Sequence, residues 1–177
     1  KIGNDCIIYP NVVIGDRTII GDNVIIQSNT VLGGDAFYYR KVDGNFDRLI
    51  SVGNVIIENK VEIGNNCTID RGVTDSTIIG EGSVLDNLIQ VGHDTIIGKS
   101  VLIASHAAIA GCCVIEDEVT VWGQVGIASG NRVGKGAVLL GKTGVNRVLA
   151  GGKTYFGQLA EEFRDYLRKE VKVKNLK

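Results

Sequence analysis

Residues 97–115 read Ile97-Gly98-Lys99-Ser100-Val101-Leu102-Ile103-Ala104-Ser105-His106-Ala107-Ala108-Ile109-Ala110-Gly111-Cys112-Cys113-Val114-Ile115. Ile97, Ile103, Ile109 and Ile115 stand six apart, and four positions after the first three come the small residues Val101, Ala107 and Cys113. The same register runs outward in both directions. Towards the N-terminus it takes in Ile79, Leu85 and Val91, then Ile57, Ile63 and Ile69, and before those Ile2, Ile8, Ile14, Ile20, Ile26 and Leu32. Towards the C-terminus it continues through Val121, Ile127, Val133, Leu139 and Val145. A glycine often follows the aliphatic residue, as at Gly3, Gly64, Gly92 and Gly98, where lack of a Cβ is expected to let the chain turn a tight corner.

A hexad of this kind supplies one short strand with one aliphatic side chain turned inward. That side chain is sheltered only when several turns stack, so the period specifies an all-β solenoid. A sandwich of alternating strands needs a period of two and turns at irregular spacing, which this chain lacks. The solenoid domain is expected over 1–150.

The phase breaks twice. Between Leu32 and Ile57 an aromatic and charged excursion, Phe37-Tyr38-Tyr39-Arg40-Lys41-Val42-Asp43-Gly44-Asn45-Phe46, must leave the coil, and a loop is expected over 37–54. Two roles are open to it: a lid over a site, or packing on its own coil or a neighbouring subunit. A shorter slip near Asp75 and Ser76 reads as a bulged corner. After Gly151-Gly152 the period becomes helical, with Leu159, Phe163, Tyr166, Leu167 and Val171 on one face, so 151–177 is expected to form a C-terminal helical segment that caps the solenoid or packs on symmetry mates. Its end is basic, through Arg164, Arg168, Lys169, Lys172, Lys174 and Lys177.

The formal net charge of −1 over 177 residues gives no reason to expect nucleic acid. No apolar run approaches the ~18 residues of a membrane span, and no signal-peptide pattern is present, so a cytoplasmic protein is expected. Cys6, Cys67, Cys112 and Cys113 form no CxxC pair and read as reduced thiols. There is no methionine, even at position 1, and the chain opens mid-repeat, as a fragment would.

Only two histidines exist, which speaks against the three-imidazole zinc site of the carbonic anhydrases built on similar solenoids. If a coil takes three hexads, residues eighteen apart lie one strand spacing apart, roughly ~4.8 Å, which sets Gly111 over His93. His93 follows inward Val91 by two positions and is expected to point outward, available either to a substrate or simply to solvent. His106 is expected near a corner.

Thr68-Ile69-Asp70-Arg71-Gly72, then Thr77-Ile78-Ile79-Gly80, then Asp86-Asn87-Leu88-Ile89-Gln90-Val91-Gly92-His93 resembles the signature of the UDP-3-O-(3-hydroxyacyl)glucosamine N-acyltransferases, and the similarity runs from the early hexads to Gly144. The resemblance implies a left-handed parallel β-helix and a homotrimer with active sites in clefts between subunits. It implies transfer of a 3-hydroxyacyl chain from acyl carrier protein to the 2-amine of a UDP-linked glucosamine in lipid A synthesis. The donor is then the carrier's acyl-phosphopantetheine, with no resident cofactor and no metal. His93 matches the family's catalytic base, Gly111 the glycine whose N–H faces the thioester oxygen, and Asp86 and Asn87 residues of the sugar-nucleotide site; Asp94 is placed to orient the imidazole. Three features depart from the pattern. Ser129-Gly130-Asn131 stands where many members carry a second outward histidine, the N-terminal uridine-binding domain is not within these residues, and Gly152-Lys153-Thr154 replaces a proline-containing approach to the last helix. They leave open a divergent acyltransferase for another UDP-sugar, N- or O-directed, or a non-catalytic trimeric scaffold.

Overall fold

The computed structural model describes residues 1–157 and 163–175. The chain is a left-handed parallel β-helix with three sheets, of eight, seven and six strands. Most strands are only two residues long, such as Val84–Leu85 in the eight-stranded sheet, Gln90–Val91 in the seven-stranded and Ile96–Ile97 in the six-stranded. The first residue of each pair faces out and the second faces in. Ile69, Val91, Ile109 and Ile127 therefore form one buried column, paired in register. Each such side chain contributes about 1.5–3 kcal/mol of burial. The expected small positions fill the inner corners: Val101, Ala107, Cys113 and Val119 are all buried. At Thr30 and Thr95 the hydroxyl of that residue reaches a carbonyl of an adjoining coil, from Thr30 Oγ1 to Gly64 O at 2.6 Å and from Thr95 Oγ1 to Ala110 O at 3.0 Å.

The corners themselves are built differently from the expectation. The left-handed conformation falls on the residue just before the small one, including Asn66 (φ 55°), Asp94 (φ 54°) and His106 (φ 61°), which lies exposed at its corner as anticipated. Asparagine and aspartate tolerate that region best. The glycines after the aliphatic residues serve close approach between coils instead: a Cβ on Gly92 would stand 2.5 Å from the Gly111 nitrogen.

Both phase breaks lie on the corner that leads from the seven-stranded to the six-stranded sheet. The excursion is not a structureless loop. Its centre is a β-hairpin of Tyr39–Val42 and Asn45–Arg48, closed by Asp43-Gly44 with φ of 48° and 84°, the mirror-image turn that Asp-Gly favours. An Arg40–Asp47 ion pair at 2.9 Å joins opposite residues of the two strands. The slip near Asp75 lies beside the excursion's return, with Val52 N donating to Val73 O (2.8 Å) and Gly53 N to Gly72 O (3.0 Å). Neither break disturbs the core, since Ile20 pairs with Ile57 and Ile57 with Ile79 in the same inward column.

The stack also runs past residue 150. Leu149 bridges to Val133, and Thr154–Tyr155 pairs with Val138–Leu139, with Tyr155 packed on the core. The helix spans Phe163–Lys174, with Leu167, Val171 and Val173 exposed; Leu159 lies outside the described residues. No described helix is long and apolar enough to cross a membrane.

Candidate active site

His93 and Asp94 occupy the corner after Gln90–Val91, one coil above the slip near Asp75 and two above the departure of the hairpin excursion. The left-handed backbone of Asp94 folds its carboxylate back on its neighbour, so that Oδ2 meets His93 Nδ1 at 2.8 Å. The slip near Asp75 fixes the other side of the carboxylate. Val73 N–H donates to Oδ2 at 2.9 Å and Asp75 N–H to Oδ1 at 3.2 Å. Burial alone would raise the Asp94 carboxyl; the hydrogen bonds from Val73, His93 and Asp75 outweigh it and hold it below the ordinary carboxylate range. With an ionised acceptor there, the imidazole proton belongs on Nδ1. Nε2 is left with a lone pair.

Nε2 faces Gly111. A Cβ on Gly111 would stand 2.5 Å from Nε2, so the imidazole lies flush against bare backbone. At some equivalent corners the N–H is capped by a side-chain oxygen of an adjoining coil, as from Ser105 N to Asp86 Oδ2 (3.2 Å) and Lys99 N to Asp117 Oδ1 (2.8 Å), whereas at others, Gly123 and Gly141 among them, no acceptor is found among the described residues. Among the described residues nothing accepts from the Gly111 N–H. A base lone pair and an unused donor thus stand side by side.

His93 is less outward than its register implied, at 8% exposed. The ring of Tyr38, from the foot of the hairpin, packs edge-on over it with centroids 5.4 Å apart. His93, Tyr38, Ile50, Val73, Asp94 and Cys112 all border one cleft of about 590 Å³. A second, shallower groove of about 680 Å³ runs up the seven-stranded sheet from Gln90, over the small outward residues Ala108, Gly126 and Gly144. Sequence reasoning missed Tyr38, Val73 and Asp75, because all three belong to the aperiodic segments.

Asp86 and Asn87 sit on another edge, between the eight- and seven-stranded sheets, and within one chain they are not brought to His93. There they serve as corner caps. Asp86 accepts from Asn87 N (2.8 Å) and Ser105 N (3.2 Å), and Asn87 Oδ1 from Asn65 N (2.7 Å). His93, Asp94 and Cys112 are the described residues able to offer a metal one atom each, within 4.8 Å of one another. Both Asp94 oxygens are already committed, however, and burial together with the Asp94 charge pushes the Cys112 thiol up, favouring the form that does not ligate.

The bacterial transferase hexapeptide (six repeats) family matches residues 1–34. UDP-3-O-acylglucosamine N-acyltransferase of Methylobacterium sp. (strain 4-46) is 37% identical over 145 residues, which cover 82% of this chain and 41% of that protein. The enzyme of the same name from Rhizobium meliloti (strain 1021) is 41% identical over 168 residues, covering 94% and 42%. This chain belongs to the hexapeptide-repeat acyltransferases. The chain spans about two-fifths of the length of these relatives. Among solved structures, the UDP-N-acetylglucosamine acyltransferase of Francisella novicida superposes with a TM-score of 0.80 at 22% identity, covering 96% of this chain and 62% of that one. The Arabidopsis enzyme of that name gives 0.73 at 22%, covering 96% and 66%. At that identity they speak for the fold.

Proposed function

We propose that this chain carries the acyl-transfer site of a trimeric, cytoplasmic N-acyltransferase that moves a 3-hydroxyacyl group from acyl carrier protein to the 2-amine of a UDP-3-O-acylglucosamine, a step of lipid A synthesis. The observation that carries the reading is the His93 imidazole, fixed by Asp94 at Nδ1 and laid against the uncapped N–H of Gly111. The names of its relatives favour this acceptor over a hydroxyl.

As the amine attacks the thioester carbonyl, Nε2 of His93 takes a proton from the nitrogen. The carbonyl oxygen becomes an oxyanion beside the Gly111 N–H. When the C–S bond breaks, His93 returns the proton to the departing thiolate. General acid–base catalysis of this kind is worth ~10²–10⁴-fold, and one oxyanion donor ~10²–10³-fold. The acyl chain follows the groove over Ala108, Gly126 and Gly144, which is apolar and unobstructed by side chains. The basic last turn of the helix, Lys172 and Lys174, suits an acidic carrier. Threefold assembly would cover the exposed outward residues Ile19, Ile96, Val84, Leu102 and Trp122, and would bring a neighbour's Asp86–Asn87 edge within reach of the cleft.

The test is acyl transfer from a panel of 3-hydroxyacyl carrier proteins to the amine acceptor by the full-length protein, beside His93→Ala, with sedimentation to count subunits. Turnover lost in a variant that stays folded and trimeric supports the reading. Absence of turnover at every chain length, or transfer only to a hydroxyl acceptor, overturns it.

A further inference from the structure

We infer that the Asp70 carboxylate is a second proton acceptor of this site, receiving the acceptor substrate's ammonium group and taking its first proton before His93 takes the next. The inference rests on the amine-directed reading above and adds a catalytic group to it.

The chemistry gives such a group a task. A primary amine that arrives as an ammonium carries three N–H protons and leaves as an amide carrying one. One of the two lost protons goes to the thiolate and is handled by His93. The other must leave before attack, because the nitrogen has no lone pair until it is gone. A hydroxyl acceptor has a single proton to move and needs no second base. An N-acyltransferase working near neutral pH gains from one, since an amine beside electron-withdrawing substituents titrates much like an α-amino group, near ~7.7–8.0.

Asp70 is built for that role. It follows inward Ile69 on the outer face of the seven-stranded sheet, one coil below Gly92 and so beside His93. The strand is irregular at this point: its register against Val31–Gly34 shifts between Ile69 and Asp70, the kind of bulge that re-aims a side chain. Oδ2 accepts from Gln90 Nε2 at 2.9 Å. Gln90 is itself oriented by the Thr68 hydroxyl on its Oε1, so its amide N–H₂ must face Asp70. Among the described residues nothing donates to Asp70 Oδ1, which leaves one oxygen free for an incoming N–H. Asp70 thus stands between a residue of the small-residue groove, Gln90, which it holds by a hydrogen bond, and a residue of the cleft, His93, close enough to act on it electrostatically.

The charged groups around Asp70 are few. His93 comes from the corner above, Asp35 from the start of the excursion, and Arg71 is its neighbour in sequence. The Arg71 guanidinium turns away, with Nε on Gly33 O at 2.8 Å and towards Asp35 at 3.8 Å. Burial chiefly lifts the carboxyl, to about 6, against the opposing pull of Gln90 and His93. A base in that range is ionised at neutral pH yet able to hold a proton, which is where general bases work best. After the amide forms and the product leaves, Asp70 releases its proton to water. Atoms and charge balance: ammonium and thioester give amide, thiol and one released proton.

The experiment compares kcat/KM for the amine acceptor between wild type and Asp70→Asn, in the full-length protein, from about pH 6.5 to 8.5, with Asp70→Glu as the conservative variant. Without Asp70 the reaction must await free amine, whose share grows about seventeen-fold over that range for an amine near ~7.8. The ratio of wild type to Asp70→Asn is therefore expected to shrink by roughly ten-fold or more as pH rises. Asp70→Glu should retain the wild-type profile at a reduced rate. A ratio that is constant across pH marks a purely structural role and overturns the proposal. Failure of the underlying reading looks different, since wild type itself would then acylate no amine at any pH.

Discussion

Gly111→Ala is the sharpest perturbation the structure offers. The added Cβ would stand 2.5 Å from His93 Nε2, 2.7 Å from Cε1 and 2.8 Å from Cδ2, where ordinary contact begins at 3.4 Å. The ring must therefore retreat by about 1 Å, a misplacement that costs a reacting group roughly 10²-fold. It cannot retreat with its backbone, because Cys112 N holds His93 O at 2.8 Å. The side chain turns instead and strains the 2.8 Å bond to Asp94. Gly111 is outside the left-handed region, so alanine meets no backbone penalty there, and the overpacking costs about 1–3 kcal/mol. Alanine also keeps the N–H, which separates loss of the base's position from loss of the oxyanion donor. Gly141→Ala is the control: its nearest neighbour would be the Gly123 carbonyl oxygen at 3.4 Å. The readouts are kcat/KM for acyl transfer and the thermal midpoint of the assembled protein. A Gly111→Ala protein that folds and turns over at the wild-type rate would falsify the placement of the reacting base at His93 Nε2.

Asp94→Asn removes the charge that sets the imidazole tautomer and is expected to lower kcat by 10²-fold or more. Because the folded Asp94 carboxyl lies below its ordinary value of 3.8, its stabilisation is present above that pH and is lost as pH falls through the depressed value; acid titration of Asp94→Asn against wild type should show the stability gap closing there. Asp70 has the opposite sign. Its carboxyl is raised from 3.8 to about 6, so its contribution is full below 3.8 and lost as pH rises towards 6; Asp70→Asn should melt higher than wild type at neutral pH, with little difference near pH 3.5. Gly126→Leu sets a branched side chain in the groove, where a Cβ at this position meets nothing within 4 Å, so the protein should fold normally and shift its donor preference to shorter acyl chains; unchanged preference across a chain-length panel counts against the groove as the acyl site.

The coil was legible because its signal is redundant. Val91, Ile109 and Ile127 each restate the same inward position, and no local competitor survives that agreement. His93 and Gly111 could be paired by counting, since one coil separates them. What periodicity could not supply came from the residues that break it. Tyr38, which covers His93, and Val73 and Asp75, which hold Asp94, lie in segments whose placement depends on each other and not on the repeat. The excursion does carry one local signal of its own, Val42-Asp43-Gly44-Asn45, which marks a two-residue hairpin turn. Burial of His93 was not readable from register alone, because outward describes the direction from its own coil and ignores what the neighbouring excursion lays over it. The free edge of Asp70 depends on a strand irregularity and on the orientation of Gln90, neither of which leaves a trace in the spacing.

The stacking of His93 beneath Gly111 means that the distance between base and oxyanion donor is written as a residue count. A one-residue deletion anywhere between Asp94 and Ala110 would turn Ile103 or Ile109 from the core to the surface and shear the two apart, however conservative the surrounding sequence. Inserting one entire additional coil there would leave every aliphatic residue facing inward and the protein folded. It would also carry Gly111 one further strand spacing, about 4.8 Å, from the imidazole. In this architecture the chain can lengthen without unfolding, and the reaction centre is the part that registers the change.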